Sequence, residues 1–433
     1  MSNTKNLIKL TRAIKTRVLF PTIAKKIIAK KRQKNFKKIV KKIQSKAKQN
    51  KKIKVVFLVN QCAKFNWVKL YELLNKDKAY DPLIMNIAEN KKEFENNNNY
   101  FKKINFKIKS GYDLKKEKEI NLKKIKPDIV FFEEVYTHLY KKNSGYNVSK
   151  YALTCYGCYG IPLANHNKHH WNIIEFHSFL WKHFLFEKFS EENCKKTSFM
   201  KLKNTFLSGF PRFDELSSKT KKNKRKTIIW APHQSILDEK KYIKILKSVI
   251  GIKSDLFSGT FDKNYKLFYE LAKKYKNITW ILKPHPGLKE KIITRGFMTE
   301  KEYKIYLQSW NKLKNTEYNN SRDYIELFER SDAIILDSIG FIAEYMIQNK
   351  PILFLNETIN TKNKHYFNKL GKYLMKGCYK INNNKEIEKR INEIIINNKD
   401  HLKNVRKNII KKIYIKNTNK NIKKLLDKTL KKA

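Results

Sequence analysis

The chain reads as an α/β protein: two Rossmann-like domains on parallel sheets, facing across a cleft, with basic helical extensions at both ends. Three observations carry that reading. Short apolar runs recur at 55–59, 83–87 and 128–132, and again at 227–230, 278–282, 333–336 and 352–355. Each is too short for a helix and is bounded by turn or polar residues, the pattern of a strand buried on both faces. Segments of helical length alternate with these runs, and strand–helix–strand repeats are the units of a parallel sheet. Finally, a charged, strand-poor tract from Lys219 to Lys226 splits the alternation in two.

Taken in order, residues 1–50 hold no acidic residue and are crowded with Lys and Arg. Leu7, Leu10, Ile14 and Val18 fall at helical spacing, and Ile23, Ile27 and Ile28 follow Pro21. A basic amphipathic arm of this kind suits an anionic membrane surface, or packs on the next domain. The first α/β domain covers 51–218. It has strands at 55–59, 83–87, 128–132 and 151–156, a helix at 67–74, and a surface loop at the asparagine run 96–99. The second domain covers 226–398, with helices expected at 242–250, 265–275, 340–348 and 387–396. Residues 399–433 are basic and helical, returning over the first domain or the membrane.

Composition narrows the function. With 41% hydrophobic and 13% aromatic residues the chain has ample material for packed cores. The formal charge of +57 invites a nucleic-acid partner. Lys is spread along the whole chain with Asn and Ile, however, and no RNP-like strand, zinc-finger spacing or basic zipper accompanies it, so nucleic acid is set aside. Five sparse cysteines fit a reduced compartment without a disulfide framework. No apolar run approaches the roughly 18–20 residues of a membrane-spanning helix, and the stretch Val18-Leu19-Phe20 before Pro21 is too short for a signal peptide. The expected location is cytoplasmic, peripheral on the inner face of the cytoplasmic membrane.

The chemistry-bearing residues fall at strand ends. Asp337, Ser338, Ile339 and Gly340 stand where a helix follows the strand 333–336. Free N–H groups and a dipole end there suit a phosphate, with the Ser338 hydroxyl as an added donor. Lys283-Pro284-His285-Pro286 ends another strand at the same sheet edge, where a Lys offsets charge and a His donates to a phosphate oxygen. Cys155 and Cys158, with His166 and His169 or His170, are spaced loosely like a zinc site. A buried structural thiol pair is the preferred reading, and no metal or other cofactor is expected. His177 and His183, among aromatics, read as core residues.

In combination the motifs form a pattern. Gly209-Phe210-Pro211-Arg212-Phe213-Asp214, Trp230-Ala231-Pro232-His233, Lys283-Pro284-His285-Pro286, and Ser331-Asp332 through Lys350-Pro351 occur in this order. Over roughly residues 150–360 the chain resembles the CDP-glycerol glycerophosphotransferase family, the teichoic-acid primases and polymerases and their capsule-cluster relatives. The resemblance implies a glycosyltransferase-B fold, a CDP-linked donor in the second domain, and transfer of a glycerol-phosphate-like group to a membrane-linked or polymeric glycan acceptor. By the same resemblance His285 contacts or protonates the donor diphosphate and Ser338 with the following N–H groups cradles it. Glu344 accepts from a ribose hydroxyl, and Arg212 reaches the donor phosphate or stabilises the interdomain turn. His233 stands in place of the usual Thr-x-Arg. Family members carry a His-Gly pair as the base of the first domain. Here residues 155–163 have no His before the glycine, so either the base is displaced to His166, His169 or His170 just downstream or the acceptor chemistry differs. Two alternatives stay open: a nucleotide-sugar glycosyltransferase of capsule or lipopolysaccharide synthesis, and a non-catalytic capsule-assembly subunit.

Overall fold

The structure is a computed structural model that describes residues 22–216, 225–235, 259–321, 324–355 and 366–431. The helix expected at 242–250, most of the linker tract and residues 1–21 of the arm lie outside them. The first domain holds seven parallel strands: β1 (Ile53–Val59), β2 (Tyr80–Asn86), β3 (Ile108–Ser110), β4 (Ile129–Phe132), β5 (Leu153–Gly157), β6 (Lys182–Leu185) and β7 (Thr205–Leu207). Their order is β3-β2-β1-β4-β5-β6-β7. The second domain has β8 (Lys226–Ala231), β9 (Ile278–Leu282), β10 (Thr316–Tyr318), β11 (Ala333–Leu336), β12 (Ile352–Leu355) and β13 (Tyr379–Ile381). Their order is β10-β9-β8-β11-β12-β13, again all parallel. In both sheets the chain reverses direction of winding beside the first strand. Each domain therefore has a topological switch point, between β1 and β4 and between β8 and β11, where ligands of open α/β sheets bind.

Strand periodicity explains the layers. Val55, Phe57 and Val59 point into one apolar cluster, and Val56 and Leu58 into another. In the second domain Ile228 and Trp230 face outward to their own helices, while Ile229 and Ala231 join the cluster containing Val56 and Leu58. One apolar layer thus runs through both domains. The strands the sequence did not announce, β3, β6, β7, β10 and β13, have three or four residues each, and all contain partly exposed or exposed positions. Pairing with a neighbouring strand rather than an apolar run makes them strands; β3, β7, β10 and β13 are sheet edges and β6 lies between β5 and β7.

Of the two readings of the basic arm, the described part shows packing on the first domain. Helix α1 (Thr22–Lys48) buries Ala29, Phe36, Ile39 and Ile43, and the last three join the outer core of the first domain. Its apolar stripe is spent there from Ala29 onward, and Ile27 and Ile28 stay exposed. The asparagine run is a correction. It lies within helix α2 (Lys91–Lys103), because Asn90 caps the N-terminus by accepting from Glu93 N (3.1 Å) and Asn97 is fully buried. Asn97 Oδ1 accepts from Cys62 N (2.7 Å) while its Nδ2 donates to Asn60 O and Asn86 Oδ1 (3.0 Å each). It braces the loop that leaves β1.

Several contacts join the domains. Ala164 and Phe367 form an isolated antiparallel bridge, flanked by Asn165 N to Tyr366 O and Asn368 N to Leu163 O (2.9 Å each). Helix α3 (Lys403–Ile413) lies on the second domain, and helix α4 (Thr418–Leu430) returns to the first and inserts Ile422, Leu426 and Leu430 into its outer core. The motif 209–214 anchors that return. Gly209 has φ +96°, and a Cβ there would lie 2.2 Å from Thr418 Oγ1, so only glycine fits. Asp214 accepts from Thr418 N (3.1 Å) and Asn419 N (2.9 Å) at the helix start.

The C-terminal helix is thus part of the first domain's core. Leu426→Ala is expected to destabilise the protein by roughly 2–5 kcal/mol, and Leu425→Ala, half-buried, by clearly less; urea denaturation of both variants checks this.

Candidate active site

The second domain's switch point gathers four of the predicted residues. Lys283 follows β9, and its N–H donates to Trp230 O (2.8 Å). Its side chain is 4% exposed, and among the described residues nothing accepts a hydrogen bond from its Nζ. Burial lowers its pKa to about 8. His285 N donates to Pro232 O (2.9 Å), which ties the end of β9 to the end of β8. The two prolines of 284–286 hold the turn, and the ring opens to the cleft, 5.3 Å from that of His233.

The protonation states follow from the surroundings. Gly287 N donates to His285 Nδ1 (3.1 Å), which leaves the N–H on Nε2. Desolvation by the cleft walls, with His233, Lys283 and Lys64 nearby, lowers His285 to about 4. Ser235 N likewise donates to His233 Nδ1 (3.2 Å), and burial lowers His233 to about 4. Burial, joined at His285 by the neighbouring cations, thus favours the uncharged form of both rings. With Nδ1 accepting from Gly287 N, the His285 Nε2–H suits the first of its two expected roles, contact with the donor, better than the second.

Three other expectations change with the placement of the residues. Asp337 is fully buried, and its carboxylate accepts from His233 N (2.7 Å), Thr260 N (2.6 Å) and Thr260 Oγ1 (3.0 Å). It positions the His233 loop, and both of its oxygens are engaged by protein donors in a fully buried setting. Glu344 is 4% exposed, accepts from the Tyr324 hydroxyl and faces Arg212; burial raises its pKa, opposed by Arg212. It is committed to the interface instead of a ribose hydroxyl. Arg212, 7% exposed, donates from Nη2 to Phe65 O (2.9 Å) and covers the Tyr324 ring at 5.1 Å. Of its two expected roles the structure supports the interdomain one. Ser338, Ile339 and Gly340 line the open turn after β11, half-buried, half-buried and exposed. The helix after them is short, Ile342–Met346, and begins two residues later than the sequence suggested.

The first domain's switch point holds residues that sequence reasoning missed. Glu133 and Glu134 follow β4 directly and are 3% and 1% exposed. Glu133 Oε2 accepts from Asn60 N (2.8 Å) and Gln61 N (3.2 Å), across the gap between β1 and β4. Burial, then the charge of Glu134, pushes its carboxyl well above the usual range. Glu134 accepts from Asn60 Nδ2 (3.2 Å) and Lys64 Nζ (2.9 Å). Two acids after Phe131-Phe132 carry the same signal that singled out Asp337. Nearby, Tyr136 Oη lies 3.5 Å from His169 Nε2 and from Tyr159 Oη.

The remaining histidines separate by environment. His170 is 4% exposed, with Cys158 Sγ at 3.1 Å and Tyr156 Oη at 3.2 Å from Nδ1. His177 and His183 are buried in the core. His166 lies in the turn Asn165–Lys168, and its side chain is outside the described residues. Cys155 and Cys158 belong to clusters on opposite faces of the first sheet, so they cannot share a metal ion. Among the described residues no group of three His, Cys, Asp or Glu has metal-binding geometry.

No protein-family model and no curated protein sequence matches the chain. Solved structures do. Two variants of the wall teichoic acid polymerase TagF superpose at 13% identity with TM-scores of 0.58 and 0.57, covering 95% of this chain and 98% of theirs. A UDP-GlcNAc 2-epimerase from Neisseria meningitidis bound to UDP-GlcNAc superposes at 16% identity and a TM-score of 0.55, covering 87% of this chain and all of that one. A putative UDP-N-acetylglucosamine 2-epimerase from Listeria monocytogenes gives 13% and 0.56, over 88% and 98%. At such identities the likeness speaks for architecture: the chain has the glycosyltransferase-B fold, two Rossmann-like domains facing across a cleft, in common with a wall teichoic acid polymerase.

Proposed function

We propose that the chain is a transferase that moves a glycerol-phosphate or related alditol-phosphate unit from a CDP-linked donor to a teichoic-acid-like or cell-surface glycan acceptor. The observation that carries this is Lys283, a buried cation at a sheet's switch point with no acceptor among the described residues, near the open Ser338 turn and the His233 and His285 rings. An unpaired buried ammonium is costly, and an anionic ligand removes the cost. The ordered motifs and the fold in common with TagF favour an alditol phosphate.

In the reaction we write, an acceptor hydroxyl attacks the donor's β-phosphorus in line. The new O–P bond forms as the bond to the bridging oxygen breaks, and CMP leaves with the electron pair. Lys283 and the His285 Nε2–H stabilise charge on the phosphate oxygens. The hydroxyl proton passes to His169. Its half-buried position beside Tyr136 supports it, whereas His170 is enclosed by Cys158 and Tyr156. The transfer is written without a metal. The sugar-transfer alternative draws on the neighbour bound to UDP-GlcNAc and on the Glu133–Glu134 pair, and it releases a nucleoside diphosphate.

We further place the protein at an anionic membrane surface. Helix α1 carries twelve Lys and Arg and no acid. Lys37, Lys38, Lys41 and Lys42 are exposed on it. Among the described residues no helix is long and apolar enough to cross a membrane.

A donor screen with purified protein is expected to show CMP release; UDP or GDP release would overturn the CDP assignment. In the same assay His285→Ala should lower kcat roughly 10²–10³-fold with an unchanged circular dichroism spectrum. Because Lys283 binds the donor only when protonated, kcat/KM should fall as pH rises through about 8. Lys283→Arg, which stays charged, should remove that limb from the pH profile. Changing Lys37, Lys38, Lys41 and Lys42 together to Gln should weaken binding to phosphatidylserine vesicles by more than about tenfold, since each basic residue near the surface contributes about 1 kcal/mol. An equal bound fraction in flotation assays speaks against the membrane site.

A further inference from the structure

The second domain's edge is short of positive charge for the ligand proposed above. A donor diphosphate is strongly anionic, yet burial disfavours the protonated form of His233 and His285. Among the described residues Lys283 is the cation left at that edge. The first domain presents another. Lys64 ends the short turn Cys62–Lys64 that leaves β1, at that domain's own switch point. The turn is held from both sides. Asn97 Oδ1 accepts from Cys62 N (2.7 Å), and Arg212 Nη2 donates to the carbonyl of Phe65 while stacking on Tyr324 of the second domain. Ala63 and Ile325 line one small cavity between the domains, so the turn meets the second domain directly.

The Lys64 side chain is 26% exposed and reaches down from the cleft to Glu134, which is 1% exposed. Its Nζ lies 2.9 Å from Glu134 Oε2 and 4.9 Å from the centre of the Tyr159 ring. Its charge is felt on both sides, at Glu133 and His170 of its own domain and at His285 of the other.

We propose that Lys64 is the first domain's ligand for the donor diphosphate, exchanging Glu134 for a phosphate oxygen when the donor binds. This rests on the reading of the Lys283 edge as the donor site. A lysine is suited to the exchange, because its ammonium is a point charge on a flexible stem and can turn between two anions. The exchange has a consequence. Glu134 is left buried without its counter-ion, and a second hydroxyl of the acceptor, other than the attacking one that faces His169, satisfies it by donating a hydrogen bond. Donor binding thereby creates the acceptor site, and the substrates add in that order.

The test is isothermal titration of the full-length protein with CDP, UDP and inorganic pyrophosphate, and with CMP and UMP as monophosphate references. Lys64→Met is expected to weaken the diphosphate probes roughly 10- to 100-fold and the monophosphates by no more than about threefold. Lys64→Arg should retain most of the affinity. Should Lys64→Met fold poorly with Glu134 unpaired, the double variant Lys64→Met/Glu134→Gln removes both charges and should show the same loss. Lys283→Met separates the two levels. If it abolishes diphosphate binding while both Lys64→Met forms bind like the wild type, the Lys64 assignment is overturned and the donor site stands. If neither lysine matters, both fall.

Discussion

The buried guanidinium of Arg212 holds the two halves of the site in register. It donates to the Phe65 carbonyl in the loop after β1 and stacks on Tyr324, whose hydroxyl is bonded to Glu344 in the second domain. A charge 7% exposed at a domain boundary is tolerable only with such partners on both sides. Loss of either half would leave an unpaired charge in the apolar layer that runs through both sheets. The loop after β1 therefore sits where Lys64 and His285 sense one another.

Several motif residues turn out to serve the same end. Gly209 and Asp214 receive the helix that returns from the second domain. Lys350 donates to the Phe328 and Glu329 carbonyls at 2.7 Å, closing the end of a helix, and Asp332 accepts from Thr227 N at 2.8 Å. The ordered motif set is thus in large part a description of how the domains are joined, through Gly209 and Asp214, and how the second is braced from within, through Asp332 and Lys350. Its strand-end members His233, Lys283 and His285 stand at the sheet edge. That division explains why the motifs point to the fold more strongly than to the group transferred.

Charge is handled differently on the two sides of the cleft. The second domain's edge holds two imidazoles whose protonated form burial disfavours and, among the described residues, an ammonium with no acceptor, which favours an incoming anion. The first domain's edge buries two carboxyls and pairs one of them with Lys64. An anion arriving at the first edge meets Lys64 before it meets the carboxyls, and a hydroxyl finds acceptors behind it. The asymmetry suits a donor bound on one side and an acceptor activated on the other.

Read from residues alone, the chain already contained both parallel sheets. The runs at 278–282, 333–336 and 352–355 match β9, β11 and β12 residue for residue, because burial on both faces demands an uninterrupted apolar string. Lys283 and His285 were legible for a related reason: polar groups directly after such a string stand at the sheet edge. Glu133 and Glu134 obeyed the same rule, yet the carboxyls of Glu134 and Asp337 differ only in what faces them, Lys64 for one and two backbone N–H groups for the other. Whether a polar group at a strand end is spent on the protein or left for a ligand depends on contacts far apart in sequence. Asn97 with Cys62, Asp337 with Thr260, and Arg212 with Phe65 are all such pairs. Local pattern decides which residues reach the edge of a sheet; the tertiary structure alone decides which of them are still free there.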